Sequence, residues 1–233
     1  MGFIEFKDVV KTYGTEENLQ YAVNHVNFSI NEGEFVVILG QSGAGKSTVL
    51  NLLGGMDQVT SGSIYVDGKE ISTFNDDQLS KYRASDIGFI FQFYNLIPSM
   101  TAFENVALTA DIVKEPLDPT EMLRAVGLEN KFDKFPTQMS GGEQQRVSIA
   151  RALSKNPKFL LGDEPTGALD SETGKDVLVL IQQMCRENKK TTIMVTHNAN
   201  IAQCADRVIV MKNGKIERIE ENQHAADAKE VEF

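Results

Sequence analysis

The nine residues GQSGAGKST, from Gly40 to Thr48, directly follow the apolar run FVVIL. Glycines this close together weaken a strand or a helix, because glycine loses the most chain entropy when it is ordered. We therefore expect these glycines to serve a function that offsets their cost in stability. Gly40, Gly45, Lys46 and Ser47 fit the pattern G-x-x-x-x-G-K-[ST] between a buried strand and a helix, which predicts a phosphate-binding loop.

The chemistry of such a loop assigns a role to each part of it. Backbone N–H groups turn inward around phosphate oxygens, and the following helix directs its positive end at them. We expect Lys46 to contact the β- and γ-phosphates of a nucleotide and the Ser47 hydroxyl to ligate Mg²⁺. The alternative is a glycine turn without a ligand. The residues predicted to contact the nucleotide here are Gly40, Gln41, Ser42, Gly43, Ala44, Gly45, Lys46, Ser47 and Thr48.

A second part of the site is predicted where the apolar run KFLLGDEP ends. Asp163 emerges at the carboxyl edge of a buried strand, where open α/β sheets bind their ligands, and we assign it to Mg²⁺. Glu164 is the candidate general base that orients or deprotonates the attacking water. The alternative is that either acid caps the turn after Pro165.

Length and patterning indicate an α/β protein. The chain has 233 residues, 41% of them hydrophobic, enough for one large domain or a core with a subdomain. Alternation predicts antiparallel strands in residues 3–39 and in GSIYVDGKEI, where Asp67-Gly68 is typical of a hairpin turn. Later apolar runs alternate with helical spacing, which predicts a mostly parallel core sheet flanked by helices. These runs are KFLLGD, TTIMVT and RVIVMK.

The domain organisation follows from the same reading. Short apolar patterns between Pro98 and Pro136, broken by KEPLDP, predict a helical insert within a helical subdomain at approximately residues 93–155. These apolar positions are Val106, Leu108, Ile112, Met122, Leu123, Val126 and Leu128. A packing helix is predicted over residues 171–188 with Ser171 as its N-cap. We interpret residues 1–219 as the domain and residues 220–233 as an acidic tail that forms a solvated, partly frayed helix.

Charge and composition exclude several classes of function. The formal net charge of −10 argues against a broad nucleic-acid-binding face. No apolar run reaches membrane-spanning length, and MGFIEFKDVV lacks the basic start and apolar core of a signal peptide, so we expect a cytosolic chain. Cys185 and Cys204 have no metal-ligand spacing, which favours buried free thiols in a reducing compartment.

The stretch MSGGEQQRVSIARAL contains a second predicted anion site. Ser140, Gly141 and Gly142 open an amphipathic helix, and helix N-termini attract anions. An ordinary helix cap is the alternative. Since one nucleotide has one γ-phosphate, already held by the loop at Gly40, the natural way to use both sites is a head-to-tail pair of chains.

At these residues the chain resembles the ATP-binding cassette (ABC) ATPases, whose signature is usually LSGGQ. Met139 replaces the usual Leu and Glu143 the usual Gln, and neither change touches the serine or the glycines. The resemblance implies a P-loop ABC ATPase fold with an N-terminal antiparallel β-subdomain and a helical subdomain. It also implies Mg²⁺-dependent ATP hydrolysis and a homodimer with two ATP molecules sandwiched between the chains.

Four further residues match motifs of this family. Gln92 matches the Q-loop glutamine, implied to contact Mg²⁺ or the attacking water, and His197 matches the switch histidine beside Glu164. Asp170 matches the D-loop, which crosses the dimer interface. Tyr13 lies where the family places an aromatic ring against adenine. By themselves, a strand-end histidine and an edge-strand tyrosine are compatible with plain packing.

The stretches PTGALD and FYNLIP resemble those of the family branch that contains the lipoprotein-release, macrolide-export and bacitracin-type peptide-resistance ATPases. This implies a subunit, peripheral on the inner face of the cell membrane, that drives an integral-membrane permease. The apolar cluster in Phe93–Met100 is the predicted permease-docking loop, with core packing as the alternative. No nucleic-acid partner is expected. The other functions considered are a soluble ABC ATPase with a nucleic-acid or ribosomal partner and a P-loop kinase.

Overall fold

The computed structural model describes residues 2–109 and 112–232. Its ten described strands are β1 (Ile4–Tyr13), β2 (Gln20–Ile30), β3 (Phe35–Leu39), β4 (Ser61–Val66), β5 (Lys69–Glu70), β6 (Ile87–Phe91), β7 (Phe159–Asp163), β8 (Thr191–Thr196), β9 (Arg207–Lys212) and β10 (Lys215–Glu221). The described α-helices are α1 (Lys46–Leu53), α2 (Asp76–Ser85), α3 (Ala102–Ala107), α4 (Pro119–Ala125), α5 (Gly141–Ser154) and α6 (Ser171–Asn188).

The N-terminal strands form an antiparallel sheet in the order β2-β1-β4-β5. Asp67 and Gly68 connect β4 to β5 with φ angles of 50° and 72°. A two-residue type I′ turn requires positive φ at both positions, so the hairpin predicted at this pair is confirmed. Phe6 and Phe28 stack across β1 and β2 with ring centroids 4.3 Å apart.

The second sheet has the order β10-β9-β3-β8-β7-β6. Its neighbours from β9 to β6 run parallel, and only β10 pairs antiparallel within the described sheet. Strands β3, β7 and β8 are almost entirely buried, which explains their continuous apolar runs. The predicted α/β class with a mostly parallel core sheet is therefore confirmed. The loops that leave the adjacent carboxyl ends of β3, β8 and β7 lie side by side.

The predicted insert contains the short helices α3 and α4, which pack against α5. Val106, Leu123 and Val126 are buried in the main core, as the apolar pattern predicts. Leu108 and Ile112 lie beyond the end of α3 and are 44% and 60% exposed, so the pattern was wrong for these two positions. Residues 110–111 of the predicted insert lie outside the described residues.

The structure places the N-cap of α6 at Asp170, so the prediction of Ser171 was wrong by one residue. Asp170 has extended backbone angles, and its carboxylate accepts a hydrogen bond from the Thr173 amide at 3.0 Å. Ser171 is already helical. The hydrogen bond from the Thr173 amide holds the pKa of Asp170 below its usual range, so the carboxylate that caps the positive end of the helix stays ionised.

The C-terminal segment differs from the solvated helix that its acidic residues predict. Strand β10 continues to Glu221, across the predicted boundary at residue 219, and the next regular element is a 3₁₀ helix at Ala228–Glu230. Ala228 and Val231 are almost completely buried against the main core. The prediction of a helix was wrong because the acidic residues of this segment belong partly to strand β10, and its few apolar residues pack into the core. Phe233 lies outside the described residues.

Gln182 on α6 fastens this segment. Its side-chain amide donates to the carbonyls of Cys204 at 3.1 Å and Ala226 at 2.8 Å, and its oxygen accepts from the Ala228 amide at 2.9 Å. One buried side chain thus satisfies three backbone groups, at least two of them buried. The C-terminal segment therefore packs as part of the core domain.

We expect Gln182→Ala to lower the free energy of unfolding by about 1–3 kcal/mol, because backbone groups left buried without partners are costly. Urea unfolding measures the change. The matched control is Gln183→Ala, which removes the exposed neighbouring glutamine and should leave stability unchanged. Equal stability of the two variants would show that the C-terminal segment is not fastened by Gln182.

Cys185 and Cys204 are buried and unpaired, as predicted. Burial raises the pKa of each thiol to about 11, so both remain protonated and unreactive at neutral pH. Within the part of the chain that the structure describes, no helix combines the length and apolar content needed to cross a membrane.

Candidate nucleotide-binding site

A cleft of about 1240 Å³ opens where β3, β8 and β7 end. The loop from Gly40 to Gly45 leaves β3 there, and α1 begins at Lys46. Gly45 has a φ of 98°, and a Cβ at this position would collide with the carbonyl of Ala22, so only glycine fits. Gly43 has a φ of 78° and nothing within 4 Å of a Cβ, which leaves its backbone open to the cleft.

This loop has the polar groups of an anion cradle. The amides of Gly43, Gly45 and Lys46 donate to no acceptor within the described residues. The Lys46 side chain is 7% exposed, and its ammonium donates to the carbonyls of Gly40 at 2.8 Å and Gln41 at 3.1 Å. Free amides at a helix N-terminus beside a buried ammonium match the oxygens of a triphosphate.

Ser47 and Asp163 meet in the lining of the cleft. The Ser47 hydroxyl donates to Asp163 Oδ1 at 3.1 Å, although the two residues are 116 positions apart. Burial raises the pKa of Asp163, and the hydrogen bond from Ser47 opposes this shift. A hydroxyl beside a carboxylate fits Mg²⁺, which prefers oxygen ligands and usually adds water and substrate phosphates to one or two carboxylates.

Glu164 projects into the same cleft from a strained position directly after β7. Its φ of 47° is unfavourable for a non-glycine residue, a strain that costs about 1–3 kcal/mol and is typical of functional sites. Its carboxylate lies 3.0 Å from Nδ1 of His197 and accepts from the Thr196 hydroxyl at 3.2 Å. Neither the carboxylate of Glu164 nor that of Asp163 caps the turn at Pro165, the alternative that the sequence left open.

Gln92 and Tyr13 also line the cleft. Gln92 directly follows β6, and Tyr13 ends β1 with 45% of its surface exposed. The Tyr13 hydroxyl donates to Asp57 at 2.6 Å, and the Lys11 ammonium lies 4.9 Å from the ring centroid. These contacts hold an exposed aromatic face at the mouth of the cleft, as stacking on a nucleotide base requires.

The structure does not bring the signature residues to this cleft. Ser140, Gly141, Gly142 and Asp170 are absent from its lining. Ser140 is instead the N-cap of α5, and Asp170 is the N-cap of α6. A Cβ on Gly142 would collide with Thr173, so the starts of these two helices adjoin. One chain therefore presents the loop at Gly40 and the signature as separate surfaces.

Gln145 is a positioning residue that the sequence analysis missed. It is completely buried on α5, and its amide donates to the carbonyls of Phe91 at 3.3 Å and Pro165 at 2.8 Å. These carbonyls flank Gln92 and Glu164 in the chain. The sequence offered no clear signal, because Gln145 lies between Gln144 and Arg146 in a polar part of the signature helix. Its contacts connect that helix to both strand ends at the cleft.

The parallel sheet, the glycine-rich cradle before α1 and the acidic end of β7 define a P-loop nucleoside triphosphatase. The family model described as ABC transporter matches residues 23–167. The chain belongs to this family, and it is an ATP-binding cassette that binds and hydrolyses ATP with Mg²⁺. The predicted family and ATPase activity are therefore confirmed.

Characterised and uncharacterised relatives align along most of the chain. An uncharacterised ABC transporter ATP-binding protein of Methanocaldococcus jannaschii, MJ0796, is 45% identical over 93% of this chain and 96% of its own length. The lipoprotein-releasing system ATP-binding protein LolD of Cytophaga hutchinsonii is 44% identical over 90% and 96%, respectively. The macrolide export ATP-binding/permease protein MacB of Mannheimia succiniciproducens is 46% identical, but only 34% of its length is covered.

A solved structure of MJ0796 has the same fold as this chain. It superposes with a TM-score of 0.86 at 43% identity and covers 95% of this chain and 99% of the other. That structure is a dimer in a post-hydrolysis state, bound to ADP and inorganic phosphate. The predicted ABC ATPase fold is thus confirmed.

Proposed function

We propose that this chain is the ATPase subunit that energises a membrane permease of the export, lipoprotein-release or peptide-resistance type. The observation that carries the ATPase part is one cleft where the Gly40–Thr48 cradle, the Ser47–Asp163 contact and the Glu164–His197 contact meet. The transporter part rests on similarity to LolD and to the ATPase portion of MacB.

Within this cleft, Lys46 and the free loop amides bind the phosphates, and Tyr13 supports the adenine. Ser47 and Asp163 would hold Mg²⁺, and Gln92, which lines the same cleft, could add a further oxygen ligand. Mg²⁺ bound there offsets negative charge on the phosphate oxygens. Because the Lys46 residue is only 7% exposed, water screens its attraction for phosphate less than at an open surface.

Glu164 is the general base that accepts a proton from the attacking water. Its carboxylate is oriented from two sides, by the Thr196 hydroxyl and the His197 imidazole. The strained backbone at Glu164 directs the side chain toward β8 and away from the turn that follows. His197 is 67% exposed on its side chain, which leaves its second ring nitrogen free for a phosphate oxygen.

The complete site is formed by two copies of the chain. We assign Ser140, Gly141 and Gly142 of one copy to the γ-phosphate held by the Gly40–Thr48 loop of the other, with Asp170 at the interface. The separation of these surfaces within one chain supports this arrangement. The dimeric state of MJ0796 with ADP and phosphate supports it as well. The proposed assembly is a homodimer with two ATP molecules between its chains.

We propose that the permease docks on the loop Phe93–Met100, which would place the chain on the inner face of the cell membrane. Asn105 fixes the shape of this loop, because its side chain bonds the Ile97 amide at 2.7 Å and the Met100 carbonyl at 3.0 Å. Phe93 is 73% exposed on this fixed loop, whereas Leu96 packs partly against the main core. The loop thus presents one large apolar side chain on a rigid support.

Phe93→Glu should therefore abolish permease-dependent stimulation of ATP hydrolysis while basal hydrolysis persists. A carboxylate at this position would have to be buried without a partner on docking, which is costly. Phosphate release with and without the detergent-solubilised permease measures the effect. The control is Ile219→Glu, which changes an apolar residue on β10 that is 40% exposed and lies outside the loop. Undiminished stimulation of Phe93→Glu would assign the loop to core packing alone.

The transporter assignment is tested by purifying the tagged chain from detergent-extracted membranes and measuring its ATPase activity with the copurified protein. Stoichiometric recovery of an integral-membrane permease that stimulates hydrolysis supports the proposal. Recovery of nucleic acid or ribosomes would instead support the soluble ABC ATPase. A phosphorylated acceptor in place of free phosphate would support a kinase.

A further inference from the structure

The first turn of α5 has an acidic residue where the family signature usually has glutamine. Glu143 folds back onto the helix start, where its carboxylate accepts from the Ser140 amide at 2.9 Å. In return, the Glu143 amide donates to the Ser140 hydroxyl at 3.3 Å. This reciprocal pair is a capping box, and it fixes the carboxylate beside the residues assigned to the partner's nucleotide.

The position of this charge creates an electrostatic conflict. A carboxylate at a helix N-terminus stabilises the helix, because it faces the positive end of the helix dipole. The same charge repels a second anion that approaches the same helix end. Hydrogen bonds from Ser140 and the neighbouring lysine lower the pKa of Glu143, so it remains ionised at neutral pH. A closed dimer would therefore place a fixed negative charge near the triphosphate of the other chain.

Lys131 forms an ion pair with this carboxylate. Its ammonium lies 3.1 Å from Glu143 Oε1, and its side chain is 37% exposed while that of Glu143 is 19% exposed. The loop after α4 holds Lys131 in place, because its amide donates to Leu128 at 3.0 Å and its carbonyl accepts from Lys134 at 3.1 Å. Arg146 also acts on Glu143 electrostatically, but Lys131 makes the direct contact.

We propose that Lys131 is a positioning residue for ATP-driven dimer closure, which neutralises Glu143 so that the start of α5 attracts the triphosphate bound by the partner chain. The Lys131–Glu143 pair thereby does the work of the neutral glutamine in the usual signature. The proposal rests on the proposed function, in which the signature acts across the dimer.

The test measures ATP-dependent dimerisation in a Glu164→Gln background, where slow hydrolysis preserves bound ATP. Lys131→Ala should raise the ATP concentration for half-dimerisation at least about fivefold, the factor expected for one unit-charge repulsion at 4 Å in water. Lys134→Ala removes an exposed lysine from the same loop and should change nothing. In roughly 1 M salt, where charges are screened beyond about 3 Å, the effect of Lys131→Ala should shrink.

The partner variant separates charge compensation from simple structural support. Glu143→Gln keeps a side-chain oxygen for the Ser140 amide and removes the charge, so dimerisation should be at least as tight as in the parent. Combined with Lys131→Ala, it should restore dimerisation to the parent level. If the ion pair only stabilised the fold, either single change would weaken dimerisation to the same extent, and this result would overturn the proposal.

Two failures are distinguishable in this experiment. A parent chain that dimerises with ATP, combined with unchanged dimerisation of Lys131→Ala, overturns this inference and leaves the proposed function intact. A parent that remains monomeric at saturating ATP overturns the proposed function and this inference together. Thermal unfolding without nucleotide is recorded for every variant, and a dimerisation defect explained by a lower melting temperature also counts against the proposal.

Discussion

Lys46→Ala is expected to slow ATP hydrolysis at least about a hundredfold, the loss typical of removing one preorganised donor from a charge-stabilising site. It also weakens ATP binding. Lys46 supplies an ammonium that donates to the Gly40 and Gln41 carbonyls of the loop. Without it, the partial charges of the loop amides alone face the β- and γ-phosphates. Phosphate release and nucleotide binding measure the two losses.

The control for this variant is Lys81→Ala, which removes an exposed lysine on α2 and should retain full activity. Thermal unfolding without nucleotide shows whether the cradle is intact. Alanine is well tolerated in helices, so α1 should persist. Hydrolysis at the parent rate in Lys46→Ala would show that the Gly40–Thr48 loop is not the phosphate site.

The parts of the fold and site that could be predicted from the sequence are those encoded by neighbouring residues. The Gly40–Thr48 loop is contiguous, and each of its glycines has a local reason in φ or in space. Strands β3, β7 and β8 are recognisable as continuous apolar runs, because both faces of the sheet are covered. The ends of these strands then bring Asp163 and His197 to the same edge.

The features that could not be predicted depend on contacts between distant segments. Asp57 bonds Tyr13 across 44 positions, and the Gln182 amide reaches Ala226 across 44 positions as well. Nothing in the local pattern marks either pair. The acidic C-terminal segment was misread because its charges outnumber its apolar anchors, although the burial of Ala228 and Val231 determines where it packs. The spacing of apolar residues predicts which side of a helix or strand is buried, but it does not predict which other segment packs against that side.

Glu164→Gln is expected to give a chain that binds Mg·ATP, hydrolyses it at least about a hundredfold more slowly and accumulates as a homodimer. The amide keeps the size of the carboxylate and can still accept the Thr196 hydrogen bond. It cannot accept a proton from water, so the chemical step is impaired more than binding. Binding persists because the proposed ATP contacts lie elsewhere, in the Gly40–Thr48 loop of one chain and at Ser140 and Gly142 of the other.

The dimer should depend on nucleotide. ATP that is not hydrolysed stays between the two chains, and mass action then makes dimer stability rise with its concentration. Loss of the Glu164 charge also reduces repulsion with the γ-phosphate bound in the same cleft, which favours the closed dimer. Gel filtration with and without ATP, alongside phosphate release, measures both predictions. Glu187→Gln, at an exposed position near the end of α6, is the control and should behave as the parent.

The two readouts of Glu164→Gln test different parts of the site. A variant that hydrolyses ATP at the parent rate would show that Glu164 is not the base, whatever its oligomeric state. A variant with lost turnover that stays monomeric at saturating ATP would show that the signature helix does not act across a dimer. Lost turnover combined with ATP-dependent dimerisation requires both assignments. The lost turnover shows that Glu164 is needed for proton transfer, and the dimer shows that the signature helix of one chain holds the unhydrolysed ATP bound by the other.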